Sequence, residues 1–87
     1  MANLYSGSIT TGSAYLKVSD ASRVSFTSGT TYILQIQNPA YIIESVEVPT
    51  KGGFLILNSN PFSYTPSGTG DLYIKSLNTT NIVNIAS

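Results

Sequence analysis

Apolar and polar residues alternate along most of this chain, and clusters of turn-forming residues interrupt the alternation about every eight to twelve positions. The segment 31–38 is the clearest case, because Tyr32, Leu34 and Ile36 share one face of an extended strand. Such alternation is typical of antiparallel strands with one buried face. No segment repeats apolar residues at helical spacing over three turns, so the sequence predicts no long helix.

These patterns predict one all-β domain spanning residues 1–87. We expect a small antiparallel sandwich or barrel of about seven or eight strands, with jelly-roll-like or Greek-key connections. The pattern alone does not separate a sandwich from a barrel. Residues 19–22 form either a turn or a single helical turn, since Ser and Asp both cap helices well. Nine segments are candidates for these seven or eight strands: 4–9, 14–18, 23–26, 31–38, 41–48, 54–57, 62–65, 71–77 and 82–86.

The strand 41–48 contains a conflict of register. If Val46 and Val48 face the core, strict alternation also turns Glu44 inward, and a buried carboxylate without a partner is costly. A β-bulge near 43–45 would reset the register, and this is the solution we predict. The alternative is that both faces of the strand are partly covered and Glu44 pairs with a cation.

The composition argues against an enzyme. The chain has no His, no Cys and no Trp, only eight charged side chains and a net charge of zero, whereas Ser, Thr and Asn together number thirty. A serine nucleophile needs a base, and no His is present to act as one. Four scattered cations cannot neutralise a row of phosphates, so we predict no nucleic-acid or electrostatic membrane binding. Disulfides are excluded, and zinc is not expected.

The carboxylates do not form a recognisable site either. Glu44 and Glu47 lie three residues apart and project to opposite faces of a strand unless a bulge intervenes. Asp20 and Asp71 flank turns, where Asp commonly accepts hydrogen bonds from the backbone. A calcium ion requires six to eight oxygen ligands, which these two residues cannot supply. We therefore predict no catalytic, cofactor-binding or metal-binding residues, and no cofactor.

The segment 54–57 is the best candidate for a contact surface, because it is apolar at every position and so predicts a strand covered on both faces. The second cover is either another subunit or loops of the same chain. Among the tyrosines, Tyr32 and Tyr64 fall near the core, whereas Tyr5, Tyr41 and Tyr73 are candidates for exposure. The predicted interface residues are Phe54, Leu55, Ile56, Leu57, Tyr41 and Tyr73.

Three segments, Ser28–Asn38, Asn60–Tyr64 and Gly70–Ser76, resemble small virion proteins of tailed bacteriophages, such as capsid decoration proteins and head fibres. The resemblance implies a non-enzymatic protein, often trimeric, that binds the outside of a shell. No binding residue is carried over from it.

Two functions follow as hypotheses. The first is a structural protein that self-associates or docks on a larger assembly such as a phage capsid. Its location would be the virion, after synthesis in the host cytoplasm without a signal peptide, since the start of the chain lacks a basic region followed by an apolar one. The alternative is a carbohydrate-binding or adhesin-like β module, suggested by six tyrosines and a polar, nearly uncharged surface.

Overall fold

A computed structural model describes residues 2–87 and places eight strands in two four-stranded antiparallel sheets. The first sheet has the order β1-β8-β3-β6 and the second has the order β2-β7-β4-β5. The protein is therefore a small all-β sandwich. The elements are β1 (Asn3–Thr10), β2 (Leu16–Lys17), α1 (Val18–Ser22), β3 (Tyr32–Ile36), β4 (Ala40–Ser45), β5 (Phe54–Ile56), β6 (Phe62–Tyr64), β7 (Asp71–Ser76) and β8 (Thr80–Ala86).

The pairing is that of one long hairpin rolled up on itself. Each of the first four strands pairs with its counterpart from the other end of the chain: β1 with β8, β2 with β7, β3 with β6, and β4 with β5. The roll is closed by β3 pairing with β8 and β4 pairing with β7. This strand order is a jelly roll, so the predicted jelly-roll-like connections are confirmed.

The core lies between the sheets, where alternate residues of each central strand point inward. Three examples are Ile36, Ile74 and Ile85, which are almost completely buried and each contribute roughly 1.5–3 kcal/mol relative to exposure. The predicted face of β3 is confirmed, because Tyr32, Leu34 and Ile36 are all buried. The buried apolar cluster comprises Ile9, Val18, Val24, Tyr32, Leu34, Ile36, Ala40, Leu72, Ile74, Val83 and Ile85.

The predicted strand 23–26 is wrong. Its alternation is real, since Val24 is buried and Phe26 packs against the core, but no neighbouring strand pairs with its backbone. Alternation reports which side chains are buried and does not by itself require a ladder partner. Arg23 has a φ of 61°, which ends the preceding α1 and redirects the chain.

The single helical turn considered for 19–22 does form, as α1. Its last residue, Ser22, donates a hydrogen bond to the carbonyl of Val18 (2.8 Å) and accepts one from the amide of Val24 (3.2 Å). Because Val18 starts the helix, the predicted strand 14–18 shrinks to the two residues of β2.

Asn81 is the largest polar side chain in the core, and it is only 1% exposed. Its Oδ1 accepts hydrogen bonds from the amides of Gln37 (3.1 Å) and Asn38 (2.9 Å). Its Nδ2 donates to the Asn38 carbonyl (2.8 Å) and to Ser76 Oγ (3.0 Å). Asn81 thereby ties β8 to the β3–β4 turn and to β7 in the opposite sheet, although the sequence pattern indicated only a turn.

Candidate interaction surface

The strand β5 forms an edge of the second sheet and is largely uncovered. It pairs with β4 through Ala40–Ile56, Tyr41–Leu55 and Ile42–Phe54, and no strand within residues 2–87 pairs with its other side. Phe54 is 75% exposed, Leu55 42% and the adjoining Leu57 67%, whereas Ile56 packs against the core. Loops of the same chain therefore do not supply the second cover, and a cover by another subunit stays a prediction.

The loop 46–53, which joins β4 to β5, adds two more exposed apolar side chains. Val46 is 75% exposed and Val48 is 61% exposed, so the prediction that both face the core is wrong. The strand β4 ends at Ser45, and the alternation that continues beyond it has no sheet to face. We call the exposed apolar side chains of this stretch the 46–57 surface: Val46, Val48, Phe54, Leu55 and Leu57.

The loop is tied to the body of the protein near its glycines. The hydroxyl of Tyr15 donates a hydrogen bond to the carbonyl of Gly52. Gly53 has a φ of 110°, and a Cβ there would lie 3.1 Å from the carbonyl oxygen of Ile42. Only glycine suits this conformation and this close approach. The valines are thus carried by a loop whose end is held in place.

Tyr41 lies beside Leu55 and takes part in a cation–π cluster. The ammonium of Lys75 is 5.2 Å from the centroid of the Tyr15 ring and 5.8 Å from that of Tyr41. Burial, followed by the proximity of Tyr41, raises the pKa of the Tyr15 hydroxyl. Tyr41 is half-buried, so only part of its ring extends the 46–57 surface.

Tyr73 is misplaced by the sequence pattern. It lies on β7 opposite Ile43 and Lys17 and is only 3% exposed, so the expectation of an exposed Tyr73 is wrong. As a central strand, β7 has neighbours on both sides, and they leave little of this ring accessible. Period-two reasoning places Tyr73 opposite Leu72 and Ile74 and cannot tell whether that second face is open.

Glu44 faces inward without a bulge. The β4–β7 register runs unbroken from Ala40–Ser76 to Ser45–Asp71, so the predicted bulge is wrong. The carboxylate accepts hydrogen bonds from Tyr64 Oη (2.7 Å), from the amide of Ser67 (3.1 Å) and from Ser67 Oγ (2.5 Å). Hydroxyl and amide donors therefore replace the cation that the alternative prediction required.

These donors also set the electrostatics of the group. Hydrogen bonds from Ser67, and then from Tyr64, hold the pKa of the Glu44 carboxyl below its usual range. Burial, followed by the bond to Glu44, raises the pKa of Tyr64 well above its usual range. The Glu44 carboxylate anchors the loop 65–70, because it accepts two hydrogen bonds from Ser67 and one from Tyr64. Protonation of the carboxylate would weaken these bonds.

The 46–57 surface offers apolar contact chemistry. Within residues 2–87, no group of three or more acidic side chains is close enough together to hold a metal ion. No helix in the same range has the length and apolar character needed to cross a bilayer. The 46–57 surface can instead bury apolar side chains against a partner, and the free edge of β5 can accept an added strand.

Val46 and Val48 are the surface residues that sequence reasoning missed. A signal for them was present, because Pro49 follows directly and cannot donate to a ladder, which favours an earlier end of β4. Of the eight large apolar residues exposed in the described chain, five lie between Val46 and Leu57, so exposure is concentrated in this one segment.

Comparison of this chain with protein-family models, with curated proteins and with solved structures finds no match. The resemblance to small virion proteins therefore remains a prediction, as do the oligomer, the capsid partner and the virion location that it implies.

Proposed function

We propose that this protein is a non-enzymatic structural component that self-associates or docks on a larger assembly through the 46–57 surface. The observation that carries the proposal is the exposed apolar edge strand β5, whose side chains Phe54 and Leu55 the rest of the chain leaves in water. A phage capsid is the assembly that the sequence resemblance suggests.

Energetics support a partner at this surface. Burying one large apolar side chain contributes roughly 1.5–3 kcal/mol, so three such side chains at the edge represent a substantial stabilisation that the isolated chain does not obtain. Exposed large apolar side chains that are concentrated in one segment favour a contact site over chance exposure. Edge strands usually carry charges or Pro that discourage pairing, and β5 carries neither.

The electrostatics are compatible with close packing of many copies. The net charge is zero, and the described strands of the first sheet contain no charged residue at all. Little long-range repulsion therefore opposes association. Solubility of the free chain rests on its hydroxyl and amide side chains.

Light scattering coupled to size-exclusion chromatography tests the self-association. We expect a concentration-dependent oligomer of the wild-type chain that Leu55→Asp dissociates. Leu4→Asp is the matched control, since Leu4 is 43% exposed and lies on the edge strand β1 of the other sheet. A second pair is Leu57→Asp with Leu77→Asp, both at exposed leucines.

A strictly monomeric wild-type chain at high micromolar concentration, with both β5-side variants folded, would count against self-association. Equal effects of Leu55→Asp and Leu4→Asp would count against the 46–57 surface as the contact. The neighbouring genes bear on the assembly itself: capsid and tail genes favour a virion component, and sugar-utilisation genes favour the alternative.

The carbohydrate-binding alternative remains a prediction, and the tyrosines that suggested it give it no further support. Tyr15, Tyr32 and Tyr73 are buried, and the other three tyrosines are half-buried. No tyrosine among the described residues therefore presents a fully open ring on which a sugar could stack.

A further inference from the structure

An open depression of about 460 Å³ lies at one end of the sandwich, away from β5. It is bordered by α1, by the segment 25–28, by the loop 66–70 and by the start of β7. A volume of this size is within the usual range for small-molecule sites. Three serines line it, together with two aromatic rings, one carboxylate, two glycines, a proline and a leucine.

Three serine hydroxyls at this depression are not hydrogen-bonded to another group of the described chain. Ser19, Ser25 and Ser28 line it and make no side-chain hydrogen bond within residues 2–87. Ser22 and Ser67, by contrast, are engaged by the backbone of α1 and by Glu44. A hydroxyl can donate and accept at once, so the three free ones provide adaptable partners for a ligand.

Backbone contacts join the two loops that border the depression. The amide of Gly29 donates to the carbonyl of Pro66 (3.1 Å), which joins the two loops. A Cβ on Gly68 would lie 3.2 Å from that of Ser28, and one on Gly70 would lie 2.8 Å from the backbone of Ser45. The rim is therefore closely packed at Gly68 and Gly70 and is tied to Glu44 through Ser67.

The charged and aromatic side chains that line the depression restrict which kind of ligand it can bind. Asp71 is the one charged side chain among the lining residues, and its Oδ2 is 3.4 Å from Lys17 Nζ, so this carboxylate is paired and its Oδ1 remains available as an acceptor. Phe26 lines the depression and is held edge-on against Tyr32 and Tyr64, with centroids 4.8 and 5.6 Å away. The lining offers a carboxylate that is already paired with a cation, several hydroxyl groups and an apolar ring. These groups fit a neutral polyhydroxylated molecule better than an anion or a cation.

We propose that the depression formed by Ser19, Ser25, Ser28, Phe26 and Asp71 is a binding site for a neutral saccharide. The serine hydroxyls and the Asp71 carboxylate hydrogen-bond to the sugar hydroxyls, and the accessible part of the half-buried Phe26 ring makes an apolar contact with the sugar without full stacking. The site is separate from the 46–57 surface, so it is independent of the assembly proposed above.

The test is a titration of the ¹⁵N-labelled chain, followed by amide NMR shifts, with glucose, galactose, mannose, N-acetylglucosamine, maltose and lactose. We expect at least one sugar to give saturable shifts confined to Ser19 and its neighbours in α1 and to segments 25–28 and 66–72. The double variant Ser25→Ala/Ser28→Ala should bind that sugar about tenfold more weakly, since two hydrogen bonds are lost. These hydroxyls contact no other group, so the fold should be unchanged.

The matched control is Ser13→Ala/Ser63→Ala, two exposed serines outside the depression, which should bind as the wild type does. Absence of saturable shifts with every sugar overturns the proposal. So does binding that maps elsewhere or that is equally strong in the Ser25→Ala/Ser28→Ala variant. The assembly tests of Leu55→Asp are unaffected by either result.

Discussion

The two ends of the sandwich solve the same problem, a polar side chain facing inward, in different ways. At one end Asn81 is neutral, almost completely buried and fully paired by four hydrogen bonds. At the other end Glu44 is ionised, half-buried and held by Tyr64 and Ser67 beside an open depression. The Asn81 hydrogen bonds join β8 to the β3–β4 turn and to β7. The Glu44 hydrogen bonds position the loop 65–70, and serines at the neighbouring depression remain without a hydrogen-bond partner in the described chain.

The reason for the difference is the cost of desolvation. An amide can be removed from water if each of its donors and acceptors finds a partner, but a carboxylate pays a much larger penalty. The charged group therefore sits where water still reaches it, and the neutral group occupies the dry end. The stability of the two ends should consequently respond differently to mutation and to pH.

The largest expected effect is that of Asn81→Ala. The change removes the hydrogen bonds that Asn81 makes to the amide and carbonyl of Asn38 and to Ser76 Oγ, whereas the Gln37 amide keeps its bond to the Ile82 carbonyl (3.0 Å). We therefore expect a loss of about 3 kcal/mol in the free energy of unfolding. Urea denaturation at neutral pH measures it. Asn84→Ala is the control, because Asn84 makes a single hydrogen bond to Gln35 (3.2 Å) on the outer face and should cost less than about 1.5 kcal/mol. If Asn81→Ala and Asn84→Ala lowered the free energy of unfolding equally, the buried hydrogen bonds of Asn81 would not be more important than an exposed one.

A smaller effect is expected for Gly70→Ala at the open end. The new Cβ would lie 2.8 Å from backbone atoms of Ser45, which cannot rotate away, so the loop must shift at a cost of about 1–3 kcal/mol. Gly7→Ala is a close match, because its Cβ would also meet an atom at 2.8 Å, namely the Tyr5 hydroxyl. That side chain can move, so we expect a change within about 0.5 kcal/mol. Thermal unfolding of both variants decides whether the rim at Gly70 is rigid.

Glu44→Gln should cost less again, about 1 kcal/mol at neutral pH. The variant keeps the size of the side chain but weakens charge-assisted hydrogen bonds from Tyr64 and Ser67. Glu47→Gln, at an exposed residue just beyond β4, should leave the free energy of unfolding unchanged. A Glu44→Gln chain as stable as the wild type would mean that the carboxylate does not anchor the loop 65–70.

The smallest effect is the dependence of stability on pH. The folded state holds the pKa of Glu44 below its ordinary value of 4.5, so its stabilisation is fully present above that pH. The stabilisation is lost as the pH falls through the lowered pKa of the folded state. Chemical denaturation between neutral and acidic pH should therefore show a steeper loss for the wild type than for Glu44→Gln. Parallel curves for the two chains would contradict the link between Glu44 and acid sensitivity.

Several features of the fold were predictable because they depend on local pattern. Alternation in 31–38 identified the inward face of β3, and the turn residues separated most of the strands correctly. The helical turn at 19–22 was one of two alternatives that capping chemistry allowed. The apolar run 54–57 indicated a contact segment, although the sequence could not show that Phe54, Leu55 and Leu57 lack a cover in the single chain.

The errors share a different cause, because each depends on what lies beside a strand in space. Tyr73 is buried since β7 is central, and Val46 is exposed since β4 has already ended. Glu44 needed no bulge because Tyr64 and Ser67, which are distant in sequence, supply hydrogen bonds. The saccharide site proposed at Ser25 and Ser28 is likewise built from loops that no motif connects.

The sequence alone determined that this protein is a small all-β domain with few groups suited to catalysis, because side-chain alternation and composition are properties of the chain itself. The tertiary structure decided which strands are central, which edge stays open and how an inward carboxylate is satisfied. These outcomes rest on contacts between residues far apart in the chain, and the pleat of a strand specifies which way a side chain points but not what it meets.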